Sequence, residues 1–320
     1  MENIIYKSID KIEYDFIVAD EVLRDLYGGL FPKDPYFVQA GEACKTFDFI
    51  ETLIGHMQSR GLDRSSHIGV VGGGSLSDAV GFAAGIYMRG ISHDIIPTTL
   101  LSMVDACVGG KTAINFDHTK NFVGIFNEAT NVIIDENFTK TESLGNYKNG
   151  VVEAIKLAAL FDEKIFNEME ALIDYEMTKR DEFTRLAAGY CPQKKQKIVK
   201  DDFRDKGLRQ LLNAGHTVGH AIEAYEDYKI SHGKAVALGL VIEHQTLGYD
   251  TYKEFLRVFD KLYGDDFNKL LEKYKTAKLT IKDDKKSSGE LINIPCIRKI
   301  GCGSILTLNK KDFQRRIYFE

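Results

Sequence analysis

Hydrophobic positions along the first half of the chain fall in short runs. Asp15–Ala19, Tyr36–Ala40, Ile68–Val71, Asp94–Ile96 and Asn131–Ile134 each read as a buried strand. Between the second and third runs, Phe47, Ile50, Ile54 and Met57 recur at helical spacing and predict a helix with one apolar face. Strand and helix alternating in this order predict a parallel sheet covered by helices. Past about residue 145 the strand signals fade. Gly150–Leu160, Lys164–Ile173, Thr178–Gly189, Leu211–Tyr225 and Lys234–Tyr249 all read as helices, and a charged, poorly periodic stretch covers Lys282–Glu290. The pattern therefore predicts an α/β domain over residues 1–145 and a mostly helical domain over 146–320, with no internal repeat and no long linker. A cleft between two such domains is the default place for a site.

Composition narrows the function classes. The 320 residues are 44% hydrophobic and 28% charged, as in a globular protein. A net charge of −5 gives no basic excess for a nucleic-acid partner. No apolar stretch reaches the length of a membrane span, and Glu2, Lys7 and Asp10 precede no apolar leader core. The five cysteines are odd in number, scattered and free of any CxxC, which fits reduced cytoplasmic thiols.

Chemistry-bearing residues are concentrated. Gly72, Gly73, Gly74, Gly81, Gly85, Gly90, Gly109 and Gly110 crowd one segment. The first three follow a predicted strand, and a helix is predicted to begin at Ser75, an arrangement that suits a pyrophosphate at a helix N-terminus. A triple glycine also makes an ordinary tight turn, and the run is not a GxGxxG. His216 and His220 share one face of a predicted helix, and His232 follows soon after. Two imidazoles and a carboxylate make a catalytic-type Zn²⁺ site; a hydrogen-bonded pair on a helix face is the plain alternative. The spacing does not say which two histidines bind. Glu153 and Lys156, three apart, sit among Val151, Val152, Ala154, Ile155 and Leu157, so the pair is expected to be partly buried. Arg89, Thr98, Thr99, Lys111, Lys120 and Asn121 read singly as loop residues and together as an anion-binding wall for a phosphorylated or carboxylated substrate.

These residues carry a resemblance. Gly72-Gly-Gly through Asp78, Gly81, Arg89-Gly90, Pro97-Thr-Thr, Asp105, Gly109-Gly-Lys-Thr-Ala-Ile-Asn115 and Lys120-Asn121 resemble the 3-dehydroquinate synthase family of sugar phosphate cyclases. So do Gly150-Val-Val-Glu-Ala-Ile-Lys156, the run Gly207–Glu223, His232-Gly233 and Asp284-Lys-Lys286. The resemblance implies a Rossmann-like NAD-binding domain, then a helical metal-binding domain, in a homodimer. It implies Glu153, His216 and His232 as ligands of Zn²⁺ or Co²⁺, with His220 on the substrate side. It implies NAD contacts from Asp20, Glu42, Lys45, Gly74, Ser75, Asp78, Thr98, Thr99, Lys111, Lys120, Phe138 and Thr141. Catalytic and substrate contacts would come from Arg89, Asp105, Lys111, Asn121, Lys156 and His220, and from Lys195, Arg209, Asn213 and Lys285. The implied chemistry runs from 3-deoxy-D-arabino-heptulosonate 7-phosphate to 3-dehydroquinate by oxidation, loss of phosphate, reduction and aldol closure, with NAD regenerated. Another cyclase branch and a glycerol-dehydrogenase-like oxidoreductase are the competing readings, beside a catalytically dead nucleotide-binding homologue. The chain departs from the family pattern at Val22, at Glu128-Ala129, at Glu142-Ser143 and at Asp202-Phe203, where Asp-Glu is usual.

Overall fold

The computed structural model describes residues 1–32, 34–117, 119–281 and 290–317. The chain divides into two compact units: Met1–Ser143 with Ala188–Lys200, and Leu144–Ala187 with Asp201–Glu320.

The first unit contains β1 (Asn3–Tyr6), β2 (Phe16–Asp20), α1 (Val22–Tyr27), β3 (Tyr36–Val38), α2 (Phe47–Ser59), β4 (His67–Gly72), α3 (Gly74–Ile86), β5 (Ser92–Pro97), β6 (Lys111–Phe116), β7 (Thr119–Phe126) and β8 (Asn131–Ile134). Six strands form one parallel sheet in the order β1-β8-β5-β4-β2-β3. Side chains alternate across it. Phe16, Val18, Ile68 and Val70 enter one apolar cluster with Leu53 and Met57 of α2, while Ile17, Ala19 and Val71 enter the other with Ile95, Val132 and Ile133. Both faces are thus covered, which is why these strands lack polar alternation. The buried face of α2 is Ile50, Leu53 and Met57; Phe47, expected in that face, is 49% exposed at the helix start, its ring near Phe116. Two further elements carry no strong apolar period and escape the sequence pattern: β1, and the antiparallel β6–β7 hairpin. Lys111, Lys120 and Asn121, read as loop residues, stand on that hairpin.

The sheet has one topological switch point. The chain leaves β2 through α1 to reach β3 on one side, and leaves β4 through α3 to reach β5 on the other. The carboxyl ends of β2 and β4, at Asp20 and Gly72, therefore flank the crevice where ligands of open α/β sheets bind.

The second unit is built on α4 (Leu144–Phe161), α5 (Glu163–Glu170), α6 (Arg180–Asp201, its Ala188–Lys200 stretch grouped with the first unit), α7 (His216–Tyr225), α8 (His232–Thr246), α9 (Thr251–Tyr263) and α10 (Asp265–Thr276). An antiparallel pair, β9 (Leu291–Lys299) and β10 (Cys302–Asn309), and α11 (Lys310–Ile317) follow. The pair is an addition to the helical expectation. So is a break in the expected Leu211–Tyr225 helix: a 3₁₀ turn covers Leu208–Asn213, and Gly215, at φ 78°, stands in the left-handed region before α7. Glycine also sets how closely α7 and α8 approach. A Cβ at Gly239 would lie 2.0 Å from the Gly215 oxygen and 2.8 Å from the Gly219 nitrogen. Among the described residues, no helix is long and apolar enough to cross a membrane.

Two glycines of similar helical setting should respond oppositely. Gly239→Ala forces backbone atoms apart and is expected to cost at least about 2 kcal/mol. Gly55→Ala in α2, with nothing within 4 Å of the new methyl, is expected to add about 0.5–1 kcal/mol. Urea unfolding of the two variants checks both signs.

His244 sets a pH dependence. The ring is fully buried; Nδ1–H donates to the Leu240 oxygen at 2.7 Å and Nε2 accepts the Ile297 N–H at 2.8 Å. Burial holds its pKa down to about 4, against an ordinary 6.5. The unfolded chain takes up this proton first, so stability is full near neutrality and lost as pH falls through that window. A loss of about 1–3 kcal/mol is expected for such a group. His93, buried and also held to about 4, acts in the same direction. A stability profile that stays flat from neutral pH to the window's lower end would exclude this role.

Candidate active site

Three helices of the second unit converge on one carboxylate. Glu153 of α4, His216 at the start of α7 and His232 at the start of α8 offer ligand atoms that all lie within 4.8 Å of one another. Glu153 Oε1 is buried and accepts no hydrogen bond. Facing it are His232 Nε2 at 3.3 Å and His216 Nε2 at 3.7 Å. Each ring is fixed from behind: His216 Nδ1 lies 3.2 Å from the Ala214 oxygen and His232 Nδ1 3.3 Å from Glu223 Oε1. In the tautomer in which each Nδ1 donates, each Nε2 is left to face the Glu153 carboxylate with a lone pair. Two imidazoles and an unsatisfied carboxylate oxygen, each oriented by an outer partner, fit a divalent cation of the zinc or cobalt type.

Electrostatics at this cluster keep Glu153 ionised and set the two imidazoles apart. Against burial, Lys156 and the two imidazoles hold the Glu153 carboxyl well below the carboxylate range. Burial and Lys156 hold His216 well below the imidazole range. Burial opposes charge on His232 too, yet Glu153 and Glu223 push it up to about 9. Lys156 pairs with Glu153 Oε2, and its Nζ donates to the Leu212 oxygen at 2.5 Å. This pair, expected to be partly buried, is 3% exposed at each residue.

The other sequence-predicted residues of this unit lie nearby in the chain. The His220 ring is exposed on α7, edge-on to His216 with centroids 5.2 Å apart, and is not among the three converging ligands. Arg209 and Asn213 occupy the 3₁₀ turn before α7. Arg209 is 2% exposed; its Nη1 donates to the Phe203 oxygen at 2.8 Å and its N–H to Asp202 Oδ2 at 3.0 Å. At the Asp202-Phe203 departure, these contacts use the retained Asp and only the backbone of Phe203. Lys285 lies outside the described residues.

In the first unit, the switch point gathers much of the remainder. Gly72, Gly73 and Gly74 have no positive φ; they are small because neighbours press on them. A Cβ would meet Leu76 at 2.8 Å from Gly72, Thr99 at 3.3 Å from Gly73 and Ala106 at 2.9 Å from Gly74. α3 begins at Gly74, one residue earlier than expected, with no side-chain cap. Asp20 ends β2, and Thr98 and Thr99 follow β5. Beside α3 runs a polar chain: Ser75 Oγ donates to Glu42 Oε1 at 3.3 Å, Asn115 Nδ2 donates to Glu42 Oε2 at 2.8 Å, and the Asn121 N–H donates to Asn115 Oδ1 at 2.9 Å. Lys45, 3% exposed, closes it by bonding Asn121 Oδ1 and pairing with Asp78 at 2.6 Å. Tyr27 joins Phe138, at 4.9 Å between rings, to Thr141, at 2.9 Å between hydroxyls. Asp105 stands on a π-helical turn, Ser102–Ala106, and takes both contacts of Lys195 at 2.7 Å, to its carbonyl and its carboxylate. Lys111 and Asn121 are exposed on the hairpin with Lys120 half-buried, and Arg89 is exposed at φ 72°.

Sequence reasoning missed several partners. Glu223 repeats the helical period of His216 and His220, a signal that was there to read. The Ala214 and Leu212 carbonyls, Asn115 and Tyr27 carry no such mark.

Removing one ring separates the roles of the three histidines. His232→Ala is expected to abolish tight Zn²⁺ retention, and His220→Ala to preserve it. Elemental analysis of the gel-filtered variants measures both. Unchanged zinc in the first variant would strike His232 from the ligand set, and lost zinc in the second would add His220 to it.

Comparison with known proteins extends this picture. The 3-dehydroquinate synthase N-terminal model matches residues 35–149, and the C-terminal model matches residues 150–287. The 3-dehydroquinate synthase of Campylobacter jejuni subsp. jejuni serotype O:23/36 (strain 81-176) is 37% identical over 95% of this chain and 93% of its own. That of Dictyoglomus thermophilum is 35% identical over 95% of this chain and 88% of its own. Among solved structures, a 2-deoxy-scyllo-inosose synthase complexed with carbaglucose-6-phosphate, NAD⁺ and Co²⁺ matches with a TM-score of 0.82. It covers 99% of this chain and 96% of its own at 21% identity, a likeness of fold. With both halves matched in order and relatives aligned over nearly the whole length, the chain belongs to the 3-dehydroquinate synthase family.

Proposed function

We propose that the chain converts 3-deoxy-D-arabino-heptulosonate 7-phosphate to 3-dehydroquinate and phosphate, with NAD and a divalent cation, Zn²⁺ or Co²⁺, as resident cofactors. The observation that carries the reading is Glu153 Oε1, buried without a hydrogen bond and faced by two imidazole nitrogens, in a chain of this family. Glu153, His216 and His232 would hold the cation. Asp20, the glycines after β4, the start of α3, Thr98 and Thr99 would take the nucleotide at the switch point. When bound, NAD supplies a reversible hydride transfer and the cation a Lewis acid that polarises substrate oxygens, which acidifies the neighbouring C–H so that phosphate can leave.

The chain's own residues orient and balance charge. Lys156 sits against Glu153 at a fixed distance from the Leu212 carbonyl, ready to stabilise an oxyanion beside the ligand set. Arg209, whose Nη1 donates to the Phe203 oxygen, carries a planar guanidinium of the kind that suits a substrate carboxylate. Lys195 held by Asp105, with Lys111, Arg89, Lys120, Asn121, Asn213 and Lys285, supplies the cations and amides for the remaining anionic and hydroxyl groups. His220 would work on the substrate side of His216. We also infer a cytoplasmic homodimer; among the described residues the five cysteines are free thiols, four of them buried.

The defining test is stoichiometry. The purified protein should release inorganic phosphate from the heptulosonate phosphate with no lasting rise in NADH absorbance, and a chelator should stop it. Steady NADH production would favour the dehydrogenase reading. Sedoheptulose 7-phosphate, which lacks the carboxylate, should be turned over poorly; equal turnover would move the chain to another cyclase branch.

A further inference from the structure

α7 begins without a cap of its own. Gly215 stands at the N-cap position and has no side chain to offer, so the first N–H groups of the helix must find acceptors elsewhere. They find one on α8. Glu243, fully buried, accepts the Gly215 N–H on Oε2 and the Val218 N–H on Oε1, each at 2.8 Å. The Thr217 N–H is directed at the same carboxylate. Both oxygens accept; burial pushes the Glu243 carboxyl up to about 8, while the N–H groups and Lys156 pull the other way.

The placement of Glu243 is set by the α8 period. His232, Gly239 and Glu243 are separated by seven and four residues, so all three lie on one face, with His232 and Glu243 about 16 Å apart along the axis. Gly239 lets the α7 backbone come down onto that face. Glu243 then ties the first turn of α7 to it. His216 is the first residue of that turn, bracketed by the two amides that Glu243 holds, so the backbone there, with the Ala214 contact of Nδ1, sets how its Nε2 reaches Glu153. α8 thus carries one cation ligand at its start and fixes the second through α7.

We propose that Glu243 is a positioning residue: by holding the first turn of α7, it sets where His216 presents Nε2 and so sets the cation affinity of the Glu153, His216 and His232 set. The inference rests on the cation reading given above. Glu243 acts through the backbone on both sides of His216.

Glu243→Gln tests it. The amide keeps the shape but offers one oxygen, and its NH₂ faces an N–H donor, so one of the two amides of α7 is released. The full chain, titrated with Zn²⁺ against a competing chelator, is expected to bind at least about tenfold more weakly in this variant. The visible spectrum of the Co²⁺-loaded variant should shift, and NAD affinity, measured by fluorescence, should hold. His244→Gln is the control for packing, since it cuts the bond to Ile297 and leaves α7 capped; it should lower Tm without weakening Zn²⁺ binding. If Glu243→Gln does not fold, Glu243→Asp carries the test, keeping the charge but falling one methylene short of holding both amides. Wild-type affinity and an unshifted spectrum in the Glu243 variant would overturn the proposal, as would equal weakening in His244→Gln. His232→Ala separates the two levels: if it too keeps full affinity, the cation reading falls with the proposal. If it loses zinc while Glu243→Gln does not, the role of Glu243 alone is lost.

Discussion

The second unit is organised around a charge that the protein does not finish neutralising. Glu153 lies in apolar surroundings on α4, where an ionised carboxylate is costly unless it is paired. Lys156 answers one oxygen, and Leu212 steadies Lys156. The other oxygen is left to two imidazole nitrogens that carry no proton when their Nδ1 atoms donate. Such a cluster is stable with a positive charge at its centre. Against burial, Glu153 and Glu223 push the His232 ring up to about 9, so a proton there supplies one; a divalent cation would supply a larger one. The break at Gly215, the glycine contact between α7 and α8 and the cap from Glu243 all serve to bring His216 to that oxygen.

The fold was legible wherever burial imposed a period. The five predicted strands match β2, β3, β4, β5 and β8, because each is covered on both faces and reads as an apolar run. β1, the β6–β7 hairpin and β10 escaped because exposed positions break that run, whereas β9, buried over Ile294–Ile297, carried an apolar run that was there to read. The break between Asn213 and His216 was hidden for another reason: Leu211, Leu212, Ala214 and Val218 are all buried, so their spacing mimics one helix while Gly215 turns left-handed.

At the site, residue types were legible and their pairing was not. The spacing of His216, His220 and His232 left three ways to choose two ligands. In the fold, the N-terminal ends of α7 and α8 meet at Glu153, and the His220 ring, one turn on, lies outside that convergence. The glycine run was legible as close approach and misleading as a turn: its φ angles are ordinary, and Leu76, Thr99 and Ala106 supply the pressure. Sequence carries no trace of which backbone carbonyl faces which lysine.

The cations of both units share one device. Lys45 is held by Asp78, Lys156 by Glu153 and Lys195 by Asp105, each with a carbonyl or amide oxygen as a second acceptor. In a chain of net charge −5, these buried lysines are fixed by their partners before any anion arrives. A flexible ammonium would have to be ordered by each incoming phosphate or carboxylate. Here that ordering is done by folding, so an incoming anion meets donors already in position, the condition under which electrostatic stabilisation of developing charge is most effective. The acidic partners also prevent binding by charge alone. At each lysine an anion must match the local geometry well enough to compete with a carboxylate already present.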